Sequence, residues 1–262
     1  MAKENEFYPT PEDLAAYLFK RFLWQVPSQI FAQTDENGDD VIVQILEPSA
    51  GTGAFAKAMA HHGQVTAIDP NFDDPQIEGV EWARMSLEEL GEACDGERPF
   101  DLACGNPPFS LAEAHLRILF KIVRHHGYVG FLLRLGFLSS GKRAPFFRVY
   151  PPKHIYVLPK RPSFVWSWTC KPERGIALGG LDDPDDAPIV KGCGHKWMDE
   201  PGIEHRNCPQ CGATGNLQCV KTDQYDYMFA IWKVGAEPLQ KTEITWLNNE
   251  GEEDENNVQQ EA

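Results

Sequence analysis

The sequence predicts an α/β fold built on a mostly parallel, doubly wound sheet. Short apolar runs typical of buried strands alternate with segments of helical spacing, and this alternation is typical of parallel strands joined by helices. The chain has 262 residues, enough for one large domain with a substantial core. The last two apolar runs have no helix between them, which predicts an antiparallel edge.

The first helix is predicted to begin near Thr10. Thr10 is a typical N-cap residue, Pro11 suits the first helical position, and Glu12 and Asp13 follow in the first turn. The predicted strands lie at 41–46, 65–68, 101–104, 128–135, 155–158 and 227–232.

Two further helices are predicted between these strands. One begins with residues 54–59, directly after a glycine turn. The other follows 101–104, where Ser110 and Glu113 have the spacing of a capping box.

Two segments do not fit the strand and helix pattern. Residues 170–222 are rich in Gly, Pro, Asp and Cys and are predicted to form an insertion between two strands of the sheet. Residues 248–262 carry many acids and no Lys or Arg, which predicts a disordered acidic tail. The main domain is then expected to comprise 1–169 and 223–247.

The charge of the chain is unevenly distributed. The formal net charge is −15, which by itself argues against nucleic-acid binding. Yet no Asp or Glu occurs between Ala114 and Pro172, whereas Lys and Arg are frequent there. This acid-free stretch predicts a surface that faces phosphates, with solvent-exposed helix faces as the plain alternative.

The segment from Asn106 to Phe109 carries the strongest functional signal. Two prolines cannot continue a central strand, so the chain must leave the sheet there. The turn presents an amide, a rigid carbonyl and an aromatic ring, a combination that suits a planar amine such as a nucleobase. An ordinary Asn-Pro turn is the alternative.

A glycine turn, Gly51-Thr52-Gly53, follows the first strand and enters a helix. Glycines there allow a ligand to approach the backbone closely, and Asp69 after the next strand suits ribose hydroxyls. Glu47 and Pro48 precede the turn, and the carboxylate would repel a dinucleotide pyrophosphate. It would favour the ammonium and sulfonium of S-adenosylmethionine.

Taken together, these motifs resemble those of class I adenine-N6 DNA methyltransferases, and most of all the small phage or prophage type. The motifs, in chain order, are Tyr8-Pro9-Thr10-Pro11, Glu47 to Gly53, Asp69, Asn106 to Phe109, and Arg161-Pro162-Ser163-Phe164. The resemblance covers about 1–168 and 223–234. It implies a Rossmann-like, mostly parallel, seven-stranded methyltransferase sheet with an antiparallel edge. The family often has an acid near the cofactor adenine where this chain has Ser86, so that contact is left unassigned.

The resemblance implies methyl transfer from S-adenosylmethionine to the N6 amine of a flipped-out adenine in DNA. The residues implied for catalysis are Asn106, Pro107, Pro108 and Phe109. Those implied for the cofactor are Tyr8, Pro9, Thr10, Glu47, Pro48, Gly51, Gly53 and Asp69. Those expected at the substrate are Phe109, Phe164, Lys142, Arg143, Arg148 and Arg161.

The insertion contains a candidate metal site. Its proposed ligands, Cys193, His195, Cys208 and Cys211, resemble a zinc ribbon that closes a structural site with four protein ligands. Val190 stands where a zinc ribbon usually has its first Cys, so the fourth ligand is either His195 or another residue. The candidates to replace His195 are His205, Cys170 and Cys219. A set of reduced thiols is the alternative.

Other functions remain open at this point. The same turn could hold an RNA adenine or a protein glutamine amide. A non-catalytic nucleic-acid binder is the third hypothesis, with a protein partner at the zinc insertion or the acidic tail. The sequence has no run of 18 apolar residues, so no membrane span is expected, and the cytoplasm is the default location, the host's if the protein is phage-encoded.

Overall fold

The structure is a computed structural model that describes residues 9–34, 37–72, 74–162, 168–170, 196–197, 217–219, 225–236 and 241–248. The chain divides into two units. The first comprises 1–162 and 223–262, and the second comprises 163–222. The insertion predicted from the sequence, 170–222, lies within this second unit.

The first unit contains five α-helices and eight strands among its described residues. The helices are α1 (Glu12–Gln25), α2 (Ala54–Met59), α3 (Leu87–Ala93), α4 (Ala112–Ile122) and α5 (Ala144–Val149), with short 3-10 turns at Ser28–Ile30 and Leu135–Phe137. The strands are β1 (Gln44–Glu47), β2 (Gln64–Ile68), β3 (Val80–Ala83), β4 (Phe100–Gly105), β5 (Val123–Arg134), β6 (His154–Val157), β10 (Tyr227–Lys233) and β11 (Glu243–Trp246). None of the described helices is long and apolar enough to cross a membrane.

These strands form one sheet in the order β11-β6-β10-β5-β4-β1-β2-β3. The neighbours from β5 to β3 are all parallel, and β10 lies antiparallel to both β5 and β6. The predicted Rossmann-like sheet with an antiparallel side is confirmed. The sheet has eight strands rather than seven, because β11 pairs with β6 in parallel.

The core lies on both faces of this sheet. β4 is buried at all of its positions, as expected for a central parallel strand covered on both sides. On one face α1 packs closely, with Phe22 edge-on against Phe229 of β10. Gly130 of β5 makes this possible, because a Cβ there would lie 2.7 Å from the Phe22 ring. The opposite face holds α4, whose Leu116 and Leu119 are fully buried.

Both predicted helix caps differ from the structure. The N-cap of α1 is Pro11, without a side-chain cap, and Thr10 is engaged elsewhere. The N-cap of α4 is Leu111, also without a side-chain cap. Glu113 instead accepts hydrogen bonds from Arg117 one turn later. The capping-box prediction at Ser110 and Glu113 is therefore wrong.

The second unit contains a three-stranded antiparallel sheet among its described residues. Its strands are β7 (Trp168–Cys170), β8 (Lys196–Trp197) and β9 (Leu217–Cys219), in the order β8-β7-β9. The register pairs Cys170 with Leu217 and Trp168 with Cys219. The predicted zinc ligands Cys193, His195, Cys208 and Cys211 lie outside the described residues, as does the acidic tail from 249 onward. Within the described ranges no three His, Cys, Asp or Glu residues are grouped to hold a metal ion.

Candidate active site

The candidate site lies where β1 and β4 end side by side in the middle of the sheet. From β1 the order continues to β2 and β3 on one side, and from β4 it continues to β5 on the other. Such a switch point opens a crevice at the carboxyl ends of the strands, where α/β folds bind ligands. A cavity of about 60 Å³ lies there. Its lining residues are Pro9, Thr10, Glu47, Ser49, Ala50, Gly51, Thr52, Ala54, Asp69, Asn106, Pro107 and Pro108.

The glycine turn forms one wall of this cavity. Gly51 and Gly53 have φ values of 55° and 83°, in the left-handed region that favours glycine. Asp69 holds the turn, because its Oδ2 accepts the Gly51 N–H at 2.9 Å while its Oδ1 accepts the Asn71 N–H at 2.8 Å. A Cβ at Gly53 would lie 2.6 Å from Ile77 Cδ1, so this glycine serves packing within the chain.

Glu47 is a buried carboxyl group at the end of β1. Its Oε2 accepts the N–H of Ala56, in the first turn of α2, at 2.5 Å. Burial raises the pKa of Glu47 well above its ordinary value, and the nearby Asp69 raises it further, whereas the hydrogen bond from Ala56 lowers it. A carboxyl group in this state favours either a proton or a bound cation.

Asn106 follows β4 directly, on the opposite wall. Gly105, which precedes it, lies against Glu47 and Pro48, so the two turns are close together. The Asn106 Nδ2 donates a hydrogen bond to Thr10 Oγ1 at 3.1 Å. This bond ties the turn at Asn106 to the segment before α1. It also fixes the orientation of the Asn106 amide, whose Oδ1 is a buried atom.

Phe109 faces a second, larger cavity of about 630 Å³. The residues that line it are Phe109, Leu133, Arg134, Leu135, Gly136, Phe137, Leu138, Ser139, Arg143, Tyr225 and Asp226. The Arg134 guanidinium lies 4.5 Å from the ring centre of Phe109 and 4.1 Å from that of Tyr225. A planar cation therefore stacks on the ring that the sequence assigned to the target base.

The acid-free stretch is partly neutralised by acids from outside it. Arg161 bonds Asp226 at 2.9 Å, and Arg143 lies 3.9 Å from Glu113 and stacks on Phe137. Lys142 and Arg148 are exposed, as is Arg161. Arg124 bonds Asp101 in the same way, at 2.9 Å. The positive surface is thus weaker than a count along the sequence implies.

The structure brings together many of the predicted site residues, although not all of them. Pro48, which precedes the glycine turn, and Gly53, which ends it, do not line the cavity. Tyr8 and Phe164 lie outside the described residues. The sequence did not indicate that Arg134 and Tyr225 lie together beside Phe109 in the second cavity.

Ser86 has a different role from the acid that the family pattern suggests there. It is the N-cap of α3 and forms a capping box with Glu89. The Ser86 Oγ accepts the backbone N–H of Glu89, and the Glu89 carboxylate accepts the backbone N–H of Ser86. The S-x-x-E spacing was available in the sequence as a signal for this cap.

Comparison with known proteins gives fold-level similarities. No protein-family model matches this sequence, and no curated protein matches it. A predicted O-methyltransferase of Agrobacterium tumefaciens is 14% identical at a TM-score of 0.42, over 84% of each chain. A SAM-dependent methyltransferase of the same organism is 11% identical at 0.43, over 86% of this chain and 63% of that one. The type IIG restriction endonuclease BpuSI is 12% identical at 0.46, over 87% of this chain and 25% of its own.

Proposed function

We propose that this protein transfers a methyl group from S-adenosylmethionine to the N6 amine of an adenine flipped out of DNA. The observation that carries the proposal is a single cavity lined by both halves of the site. Glu47 and Asp69 line it from the ends of β1 and β2, beside the glycine turn, and Asn106 lines it from the end of β4. A site for a cationic cofactor thereby adjoins a turn that holds an amine, and positioning of this kind is the main requirement of methyl transfer.

The residues on the glycine side fit S-adenosylmethionine. The cofactor's ammonium would bind the buried Glu47 carboxylate and lower the pKa that burial has raised. Each Asp69 oxygen accepts one backbone N–H and keeps a lone pair for a ribose hydroxyl. The enclosed space of about 60 Å³ is smaller than a whole ligand pocket of roughly 300–1,000 Å³. The cofactor would therefore extend beyond it. When bound, it supplies an electrophilic methyl group that needs no nucleophilic side chain.

The residues on the Asn106 side would activate the amine. The adenine N6 lone pair is delocalised into the ring and attacks poorly. The Asn106 amide oxygen and the Pro107 carbonyl would accept its two N–H groups and thereby localise the lone pair. Thr10 supports this role because its hydroxyl fixes the orientation of the Asn106 amide.

The second cavity suits a base and its flanking phosphates. Its volume of about 630 Å³ lies in the usual range for ligand pockets, and it combines the rings of Phe109 and Tyr225 with Arg134. Extraction of a base costs a few kcal/mol, which stacking of about 1–3 kcal/mol per aromatic contact would offset. Lys142, Arg148 and Phe164 remain predicted DNA contacts. RNA adenine and a protein glutamine amide are the alternative substrates, because the turn would orient either.

The test is transfer of a labelled methyl group from S-adenosylmethionine to unmethylated DNA, RNA and protein in parallel. We expect DNA labelling on adenine N6 that is lost in Asn106→Ala and kept in Asn37→Ala, an asparagine of the loop before β1. DNA that stays unlabelled, or labelling that survives Asn106→Ala, would refute the proposal. Labelling of RNA or protein alone would select an alternative substrate.

The zinc ribbon in 170–222 stays a separate prediction. Purified protein is expected to contain about one zinc per chain, and Cys208→Ser is expected to lower that content. A metal-free preparation of folded protein would contradict it. A protein partner at this segment or at the acidic tail stays a prediction in the same way.

A further inference from the structure

His115 on α4 is a buried polar residue that the chemistry above does not use. Its exposed fraction is 4%. The imidazole Nδ1 lies 3.5 Å from Ser49 Oγ, and the Nε2 lies 3.9 Å from Glu88 Oε1. The three side chains come from the segment between β1 and the glycine turn, from α4 and from α3, so a hydroxyl, an imidazole and a carboxylate lie in a row.

This row connects the site to solvent. Ser49 lines the same cavity as Asn106 and Pro107. At the other end, the side chain of Glu88 is 50% exposed. The Ser49 hydroxyl donates to the Pro48 carbonyl at 2.7 Å, and rotation about its C–O bond would direct the proton to His115 Nδ1 instead.

The proposed reaction requires such an exit. An amine that gains a methyl group must lose a proton to become neutral again. The Asn106 amide oxygen and the Pro107 carbonyl accept hydrogen bonds but are too weakly basic to take that proton. Glu47 is already assigned to the cofactor ammonium.

We propose that Ser49, His115 and Glu88 form a relay that carries the N6 proton out of the site, an inference that rests on the proposed amine methylation. As the bond between N6 and the methyl carbon forms, the bond between that carbon and sulfur breaks. The N6 proton passes to Ser49 Oγ while the hydroxyl proton of Ser49 passes to His115 Nδ1. The imidazolium is stabilised by Glu88 and returns its proton to water at the exposed carboxylate.

The electrostatics of His115 agree with this role. Burial lowers the pKa of His115, and Glu88 opposes the shift. Glu88 is the charged group that acts on the ring among the described residues. The imidazole is therefore neutral at pH 7 and able to accept a proton. Protonation before the reaction would block the relay, so activity should fall when the pH drops through a value below the ordinary one of about 6.5.

The test is single-turnover methyl transfer from pH 5 to pH 9 in wild type, His115→Gln, Ser49→Ala and Glu88→Gln, with S-adenosylmethionine saturating at every pH so that protonation of Glu47 does not limit the rate. We expect His115→Gln and Ser49→Ala to lower the rate by about tenfold or more near pH 7. They should also abolish the loss of rate at acidic pH. Glu88→Gln, at a half-exposed position, should move the acidic limb to lower pH, because the imidazolium loses its counter-charge. His61→Gln, at an exposed histidine, is the matched control and should keep the wild-type profile.

A purely structural role would lower rates without changing the shape of the pH profile, and that result would overturn the relay. So would a wild-type profile in Ser49→Ala. Failure of the relay is distinguishable from failure of the proposed function. If only the relay fails, wild type still transfers the methyl group, and the pH profiles of the variants have the same shape as that of wild type. If the proposed function fails, wild type transfers no methyl group at all.

Discussion

Replacement of Thr10 by Val tests how Asn106 is held in place. The change removes a hydroxyl and keeps the shape of the side chain. The hydroxyl accepts the Asn106 Nδ2–H at 3.1 Å. A neutral hydrogen bond contributes about 0.5–1.5 kcal/mol net, so a loss of about 1 kcal/mol in orientation corresponds to a roughly fivefold lower kcat. The KM for S-adenosylmethionine should stay within about twofold, since Thr10 acts here through Asn106.

The assay is steady-state methyl transfer with both substrates varied. Thr10→Ser keeps a hydroxyl and should restore most of the rate. Thr66→Val, a partly buried threonine of β2, is the matched control and should leave kcat unchanged. An unchanged kcat in Thr10→Val together with a raised KM for the cofactor would refute the reasoning. It would make Thr10 a cofactor contact instead.

Burial and stacking give four further predictions. Glu47→Gln should weaken cofactor binding and remove the pH dependence of that binding. In wild type, the affinity for the cofactor should fall as the pH drops through the raised pKa of Glu47. Titration calorimetry checks both outcomes. Without cofactor, the same variant should keep its Tm at high pH better than wild type, because a raised folded-state pKa makes ionisation destabilising there. Phe109→Leu should raise the KM for DNA about 5- to 150-fold if a base stacks on the ring, from the loss of about 1–3 kcal/mol in a kinetic assay. The urea midpoint of wild type should fall as the pH drops below about 6.5. Burial lowers the pKa of His154 in the folded protein, so the unfolded chain binds the proton more tightly. His154→Gln should show a smaller fall in the urea midpoint.

The sheet was predictable because its strands are strong local signals. The apolar run of 101–104 identifies β4, which is buried throughout. β11 was missed because it is an edge strand of only four residues, too short for the alternation of Ile244 and Trp246 with polar residues to stand out. Its place depends on pairing with β6, a contact that no local spacing encodes.

The site was predictable at the two turns and not between them. Proline and glycine chemistry marked 106–109 and 51–53 because these residue types restrict or free the backbone locally. The sequence predicts the Thr10 hydroxyl as a helix cap, yet in the structure it accepts a hydrogen bond from Asn106, 96 positions away. Only the tertiary structure decides between these two partners. The acid-free stretch misled in the same way, since Glu113 and Asp226 reach its arginines from outside.

The pairing of β6 with β10 has a consequence for how this chain can change over time. Leu158 N–H bonds the Tyr227 carbonyl at 3.1 Å, so the chain leaves the sheet and re-enters it at almost the same point. Everything between, including the whole second unit, occupies the place of a hairpin loop, and Arg161 and Asp226 join its two ends. The entropy of closing a loop grows only slowly with its length. A change in the length of this segment should therefore cost little entropy, while β1 and β4, at whose ends Glu47 and Asn106 lie, keep their register.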